Sequence, residues 1–162
     1  MLKGIVSGGP VDIVRIAMKG RNLFDINGLS DGVEGYYVQA NGTEAKNGPW
    51  RITQYIPVHG DYVTLYGPTG NAPAICAYDE NKQFIRGVSY SNTISTTISI
   101  EDASYVRFSL IPTSTQHAEA MLNYGQTPLP YEPYGMQQGW EVRDQQGTIL
   151  WGADKTLTGT DS

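Results

Sequence analysis

Short alternating segments follow one another along this chain with turn residues between them, and no stretch repeats apolar residues at helical spacing for long. In residues 93–100, TISTTISI, Ile94, Thr96, Ile98 and Ile100 alternate with Ser95, Thr97 and Ser99. Period two predicts a strand with one buried face, blurred only by the hydroxyl of Thr96. SYVRFSLIP, residues 104–112, sets Tyr105, Arg107 and Ser109 against Val106, Phe108 and Leu110, and DIVRIAMKG, residues 12–20, sets Ile13, Arg15 and Ala17 against Val14, Ile16 and Met18. WRITQYIPV and DYVTLYG, split by His59 and Gly60, read as a hairpin. PAICAYD and QFIRGVSYS around Glu80, Asn81 and Lys82 read as another. HAEAMLNYG is expected to be the last strand of the series. The helical candidates, residues 91–93 and 101–103, are too short to carry a packed face. Nineteen Gly, nine Pro and eleven Tyr suit strands joined by tight turns. About eight short strands between residues 21 and 135 predict an all-β sandwich.

At 162 residues the chain has room for one sizeable core and small appendages. The expected division is an N-terminal β arm over 1–20 with SGGP at its bend, a sandwich over 21–135, and a C-terminal extension over 136–162. The extension contains the hairpin GWEVRDQQGTILWG, turning at Asp144, Gln145, Gln146 and Gly147. Arms this small cannot enclose a core, so they are expected to pack on the sandwich or on another chain. A net charge of −5, with Lys and Arg scattered, argues against a nucleic-acid surface. The single cysteine, Cys76, allows no intrachain disulfide. No run approaches a membrane span or a signal peptide, so synthesis in the cytosol without membrane insertion is expected.

Six stretches taken in order, NLFD, YYVQANGT, GPWRITQYIPV, AICAYDENKQFIRGVSYS, ISIEDASYVRFSL and MLNYGQTPLPYEPYG, resemble a β-sandwich module of tail, baseplate and head-fibre proteins of tailed bacteriophages. The resemblance covers about residues 20–135, and WEVRDQQGTILWGADKTLTG is similar to short β segments that follow such modules. It implies a jelly roll of the carbohydrate-binding-module type in a non-enzymatic virion protein, made in the host bacterial cytoplasm. The implied partners are other virion proteins, further copies of the chain (a trimer on family grounds) and a host cell-surface glycan. No cofactor is implied, although some related sandwiches hold a structural calcium with loop carboxylates. The alternative is a glycan-binding module of a carbohydrate-active protein.

A sugar site needs aromatic faces beside hydrogen-bonding side chains. Tyr36, Tyr37, Trp50, Tyr55, Tyr66 and Tyr90 supply the rings, and Asn41, Asn47, Gln54, Arg86 and Asn92 the polar groups. Of these, Tyr90, Asn92, Arg86 and Trp50 form the candidate glycan set, with Tyr90 in the polar segment GVSYSNT as the leading ring. Trp50 is balanced against a core or edge-packing role. Tyr105 reads as a corner tyrosine that hands its hydroxyl to a backbone carbonyl. His59 and His117 lack metal-ligand spacing and read as solvated, and Cys76 reads as a buried apolar residue. Asp79 with Glu80, and Glu101 with Asp102, read as turn acids and not as a glycosidase pair. In residues 121–135 a PxxP pattern at Pro130–Pro133 suggests a polyproline ligand. Its place after the last strand instead predicts a clasp, with Tyr124, Tyr131 and Tyr134 over the sandwich rim.

Overall fold

The structure is a computed structural model that describes residues 2–6, 9–90 and 94–151. The chain divides into two compact units, one made of Met1–Gly20 with Gly135–Ser162 and the other of Arg21–Tyr134. In the first, strands β1 (Leu2–Val6) and β2 (Gly9–Lys19) begin a sheet that later strands complete. The second contains β3 (Val33–Val38), β4 (Glu44–Ile52), β5 (Ile56–Pro57), β6 (Tyr62–Tyr66), β7 (Ala74–Tyr78), β8 (Phe84–Ser89), β9 (Ser95–Ser99), β10 (Tyr105–Leu110) and β11 (Met121–Tyr124). The chain then returns to the first unit as β12 (Met136–Arg143) and β13 (Ile149–Trp151). Helix is confined, among the described residues, to 3-10 turns at Ile26–Asp31 and His117–Glu119.

The Arg21–Tyr134 unit is an antiparallel two-sheet sandwich. One sheet runs β3-β4-β10-β7-β8, with β5 also on β10, and the other runs β11-β6-β9. Val63, Leu65, Ile98, Ile100 and Leu122 of the smaller sheet share a core with Ile75, Ala77, Val106, Phe108 and Leu110 of the larger. Phe24, from the segment before β3, meets Phe108 edge to face at 4.8 Å. Along β9 and its flanks, Thr96, Ile98 and Ile100 are buried as their alternation predicts, while Ile94 is exposed. The one-sided reading of β10 fails, because Val106 to Leu110 are all buried, Arg107 and Ser109 included. A second cluster of Val38, Ile52, Ala74, Cys76 and Tyr78 accounts for this, on the other side of the large sheet from the shared core. Arg107 is satisfied there by the Thr53 carbonyl at 3.0 Å from its Nε and by the ring of Tyr55, 4.3 Å from its guanidinium carbon.

Three loops share one geometry. After Gln39, Asp79 and Asp144 the chain closes with paired backbone bonds, and its αL position is filled by Gly42 (φ 85°), Lys82 (φ 63°) and Gly147 (φ 85°) respectively. A type I turn followed by an αL residue suits the right-handed twist of the flanking strands. The expected β7–β8 hairpin is present, with Tyr78 opposite Phe84, and β12–β13 turns at Asp144 as predicted. The expected hairpin across His59 and Gly60 is not formed. Instead β5 pairs with β10 and β6 with β9 and β11, so the chain changes sheets there, using φ 107° at Gly60. Residues 117–119 of the predicted last strand are a 3-10 turn, and only Met121–Tyr124 pair, with β6.

In the other unit the order is β1-β2-β12-β13, all antiparallel. The two arms that the sequence presents as separate additions are therefore one sheet, with Lys19 opposite Met136 and Asp12 opposite Arg143. The expected facing of Val14, Ile16 and Met18 lies outside the described side chains.

Candidate functional site

The sequence-derived glycan set does not assemble. Tyr90 is 2% exposed, donates its hydroxyl to the Ser109 carbonyl at 2.7 Å and accepts from the Ser109 N–H at 2.8 Å. It is a core residue, and its own backbone N–H bonds the Pro73 carbonyl. Tyr90 thus makes the hydroxyl-to-backbone contact expected of Tyr105, whose ring packs edgewise on Tyr55 at 5.9 Å. Arg86 is a brace, with Nη1 donating to the carbonyls of Ser99 and Glu101 at 3.0 and 2.9 Å. Trp50 is half-buried between Tyr37 at 6.0 Å and His117 at 5.7 Å, in an edge-packing role. Asn92 lies outside the described residues.

The remaining candidates are dispersed. Asn41 accepts from the Thr43 N–H within its own turn, and Gln54 Nε2 donates to the Asp25 carbonyl at 3.0 Å. Tyr55 meets Tyr78 edge to face at 5.1 Å, with the Lys82 ammonium 5.0 Å from its centroid. His117 is not solvated as expected. It is 5% exposed and its Nδ1 accepts from the Ile111 N–H at 2.7 Å, so burial lowers its pKa below the usual value. Cys76 is buried as expected; desolvation pushes its thiol up to about 12, which keeps it protonated and unreactive. Asp79 is a turn acid, with Oδ1 accepting from the N–H groups of Asn81 and Gln83 at 2.8 and 2.9 Å. Among the described residues no cluster of three or more His, Cys, Asp or Glu could hold a metal ion, and no helix is long and apolar enough to cross a membrane.

The rings and polar groups that do converge lie elsewhere. His59, Gly60, Asp61, Tyr62, Tyr124, Gly125 and Gln126 line an open groove of about 350 Å³ at one end of the β11-β6-β9 sheet. His59 lies 5.0 Å from Tyr124, ring centre to ring centre, at a tilt of 34°, and Tyr62 and Tyr124 are 37% and 38% exposed. Behind the groove Asn123, Thr64 and Thr97 occupy one cross-strand row. Asn123, 1% exposed, donates to the carbonyls of Tyr124 and Thr127 at 2.9 Å each and accepts from the Leu129 N–H at 3.1 Å. Thr64 donates to the Gly125 carbonyl at 2.8 Å, which leaves Thr97 as donor to Thr64 at 2.8 Å. The loop after β11 is thus fixed by buried side chains. Sequence reading missed the groove because its halves stand about sixty residues apart, one read as a hairpin turn and the other as a clasp. A usable signal was two Tyr and a His each beside Gly or Asp.

The clasp exists, but tyrosines do not make it. Glu132 accepts from the backbone N–H of Arg21 at 2.5 Å and from its Nε at 3.2 Å, and the Glu132 carbonyl accepts from Asn22 Nδ2 at 2.9 Å. Asn22 Oδ1 in turn accepts from the N–H groups of Phe24 and Leu122. Asn22 of NLFD therefore ties the start of the sandwich to both β11 and the exit. Tyr131 and Tyr134 are 40% and 55% exposed and border a concavity of about 210 Å³ with Ile26 and Pro133. No protein-family model matches this chain, and no curated protein or solved structure does.

Proposed function

We propose that the chain is a non-enzymatic structural protein of a tailed-bacteriophage virion, in the tail, the baseplate or a head fibre, that displays a jelly-roll, carbohydrate-binding-like sandwich toward the host surface. The observation that carries this reading is the chain path. The Arg21–Tyr134 sandwich is inserted between β2 and β12 of a sheet built from the two chain ends, and its first and last residues are joined through Arg21, Asn22 and Glu132. A module tied at both ends to one sheet can be held out from an assembly while that sheet docks on other virion proteins or on further copies, as a homo-oligomer and on family grounds a trimer.

The test is fractionation of particles released by a bacterium carrying the encoding genome. The chain is expected to band with gradient-purified particles in fixed stoichiometry, and the isolated protein to elute as an oligomer by light scattering. A chain found only in the soluble fraction, and monomeric, would contradict the reading. The second reading, a glycan-binding module of a carbohydrate-active protein, is favoured by the open aromatic groove. It predicts that the chain travels with a polysaccharide-degrading activity and not with particles.

A further inference from the structure

We infer that the groove formed by His59, Asp61, Tyr62, Tyr124 and Gln126 binds an uncharged pyranose unit of a surface saccharide; this deepens the attachment side of the proposed function. The chemistry follows from what the groove presents. Tyr124 and His59 lie ring beside ring at 5.0 Å in a lining that also holds the partly exposed Tyr62, aromatic surface of the kind a pyranose C–H face packs on, and Asp61 and Gln126 of the same lining are the residue types that pair with hydroxyl groups. Its volume of about 350 Å³ falls at the small end of ligand sites and suits one or two sugar rings. No Lys or Arg lines it and one carboxylate does. That charge balance disfavours uronates, sialic acids and phosphorylated sugars and leaves neutral hexoses and N-acetylhexosamines.

Rigidity supports the assignment independently. An exposed connection such as the one that leaves β11 needs no buried donors to be soluble, because water would satisfy its carbonyls. Here Asn123 and Thr64, the latter backed by the Thr97 hydroxyl, hold the carbonyls of Tyr124, Gly125 and Thr127 at the end of β11 and the start of that connection. Fixing the loop beforehand removes an ordering cost that weak sugar binding could not otherwise overcome.

The test is an amide-resolved NMR titration of the full chain with glucose, galactose, N-acetylglucosamine and their β-linked disaccharides, with glucuronate and sialic acid as acidic controls. The expected result is saturable shifts in the backbone amides of residues 59–62 and 124–127 with at least one neutral sugar, and weaker or absent shifts with the acids. Tyr124→Ala should weaken binding roughly fivefold to tenfold, and Gln126→Ala should weaken it with the thermal midpoint unchanged. No shifts with any neutral sugar, shifts centred elsewhere, or full affinity in both variants would each overturn the proposal. A particle-bound chain without sugar shifts would remove the site and keep the virion reading. Sugar shifts in a chain absent from particles would do the reverse.

Discussion

Tyr90 and Thr96 show what single side chains contribute and what sequence could say of them. The Tyr90 hydroxyl is both donor and acceptor to Ser109 within the core. Tyr90→Phe keeps the ring but removes both bonds, and is expected to cost about 1–3 kcal/mol in denaturant unfolding; an unchanged midpoint would refute that role. Thr96 Oγ1 is buried with no partner among the described residues. Thr96→Val keeps the shape and removes the unsatisfied hydroxyl, so a gain of about 1 kcal/mol is expected in the same measurement. Thr96 was visible in sequence as the polar member of an apolar face. Tyr90 was not, because its polar neighbours suggest a loop, and only the three-dimensional path of β10 brings Ser109 to its hydroxyl. His117 was misread for the same reason, since its partner at Ile111 is a backbone group that no side-chain pattern reveals.

At the scale of elements, local chemistry was legible and pairing was not. The loops at Asp79 and Asp144 were read correctly because each aspartate bonds N–H groups two and four residues ahead, a preference written in adjacent residues. Asp79→Ala removes two such bonds and is expected to lower the stability of the sandwich by about 1 kcal/mol, read as a shift in unfolding midpoint with no change in oligomeric state. His59 and Gly60 also carry turn chemistry, and there it misled. A glycine with positive φ marks a reversal without saying whether the next strand pairs with the last one or crosses to another sheet. That crossing sets His59 beside Tyr124, so the misread hairpin and the missed groove have one cause. The buried face of β10 was likewise invisible, because the cluster around Val38 and Cys76 comes from strands distant in sequence.

The whole molecule is expected to be sensitive to acid in two steps. Burial lowers the His117 pKa in the folded state, where Nδ1 must stay unprotonated to accept from Ile111. Below the unfolded value of about 6.5 the unfolded chain binds the proton and the folded chain resists it, so stability falls as pH drops from there toward the depressed folded value. Burial pushes the Glu132 carboxyl up, but the Arg21 N–H, guanidinium and charge outweigh it, and the net shift is downward. Its contribution is present above the ordinary glutamate range and is lost as pH falls through the lowered folded value. Arg21 is largely exposed, so this second step is the smaller one. Urea midpoints between pH 8 and 3 should show both, and His117→Gln should flatten the first; a slope that survives the substitution would contradict its assignment.

Two ends of the chain joined in one sheet, with the sandwich inserted between them in sequence, could not be read from either end alone, since β2 and β12 are more than a hundred residues apart. That arrangement carries the display account, and electron cryomicroscopy of particles from the encoding genome tests it most directly. The account predicts repeated density for the Arg21–Tyr134 sandwich on the outer surface, with the sheet of chain ends against the neighbouring virion protein. Particles whose density contains no such module, or holds it on the interior, would contradict it.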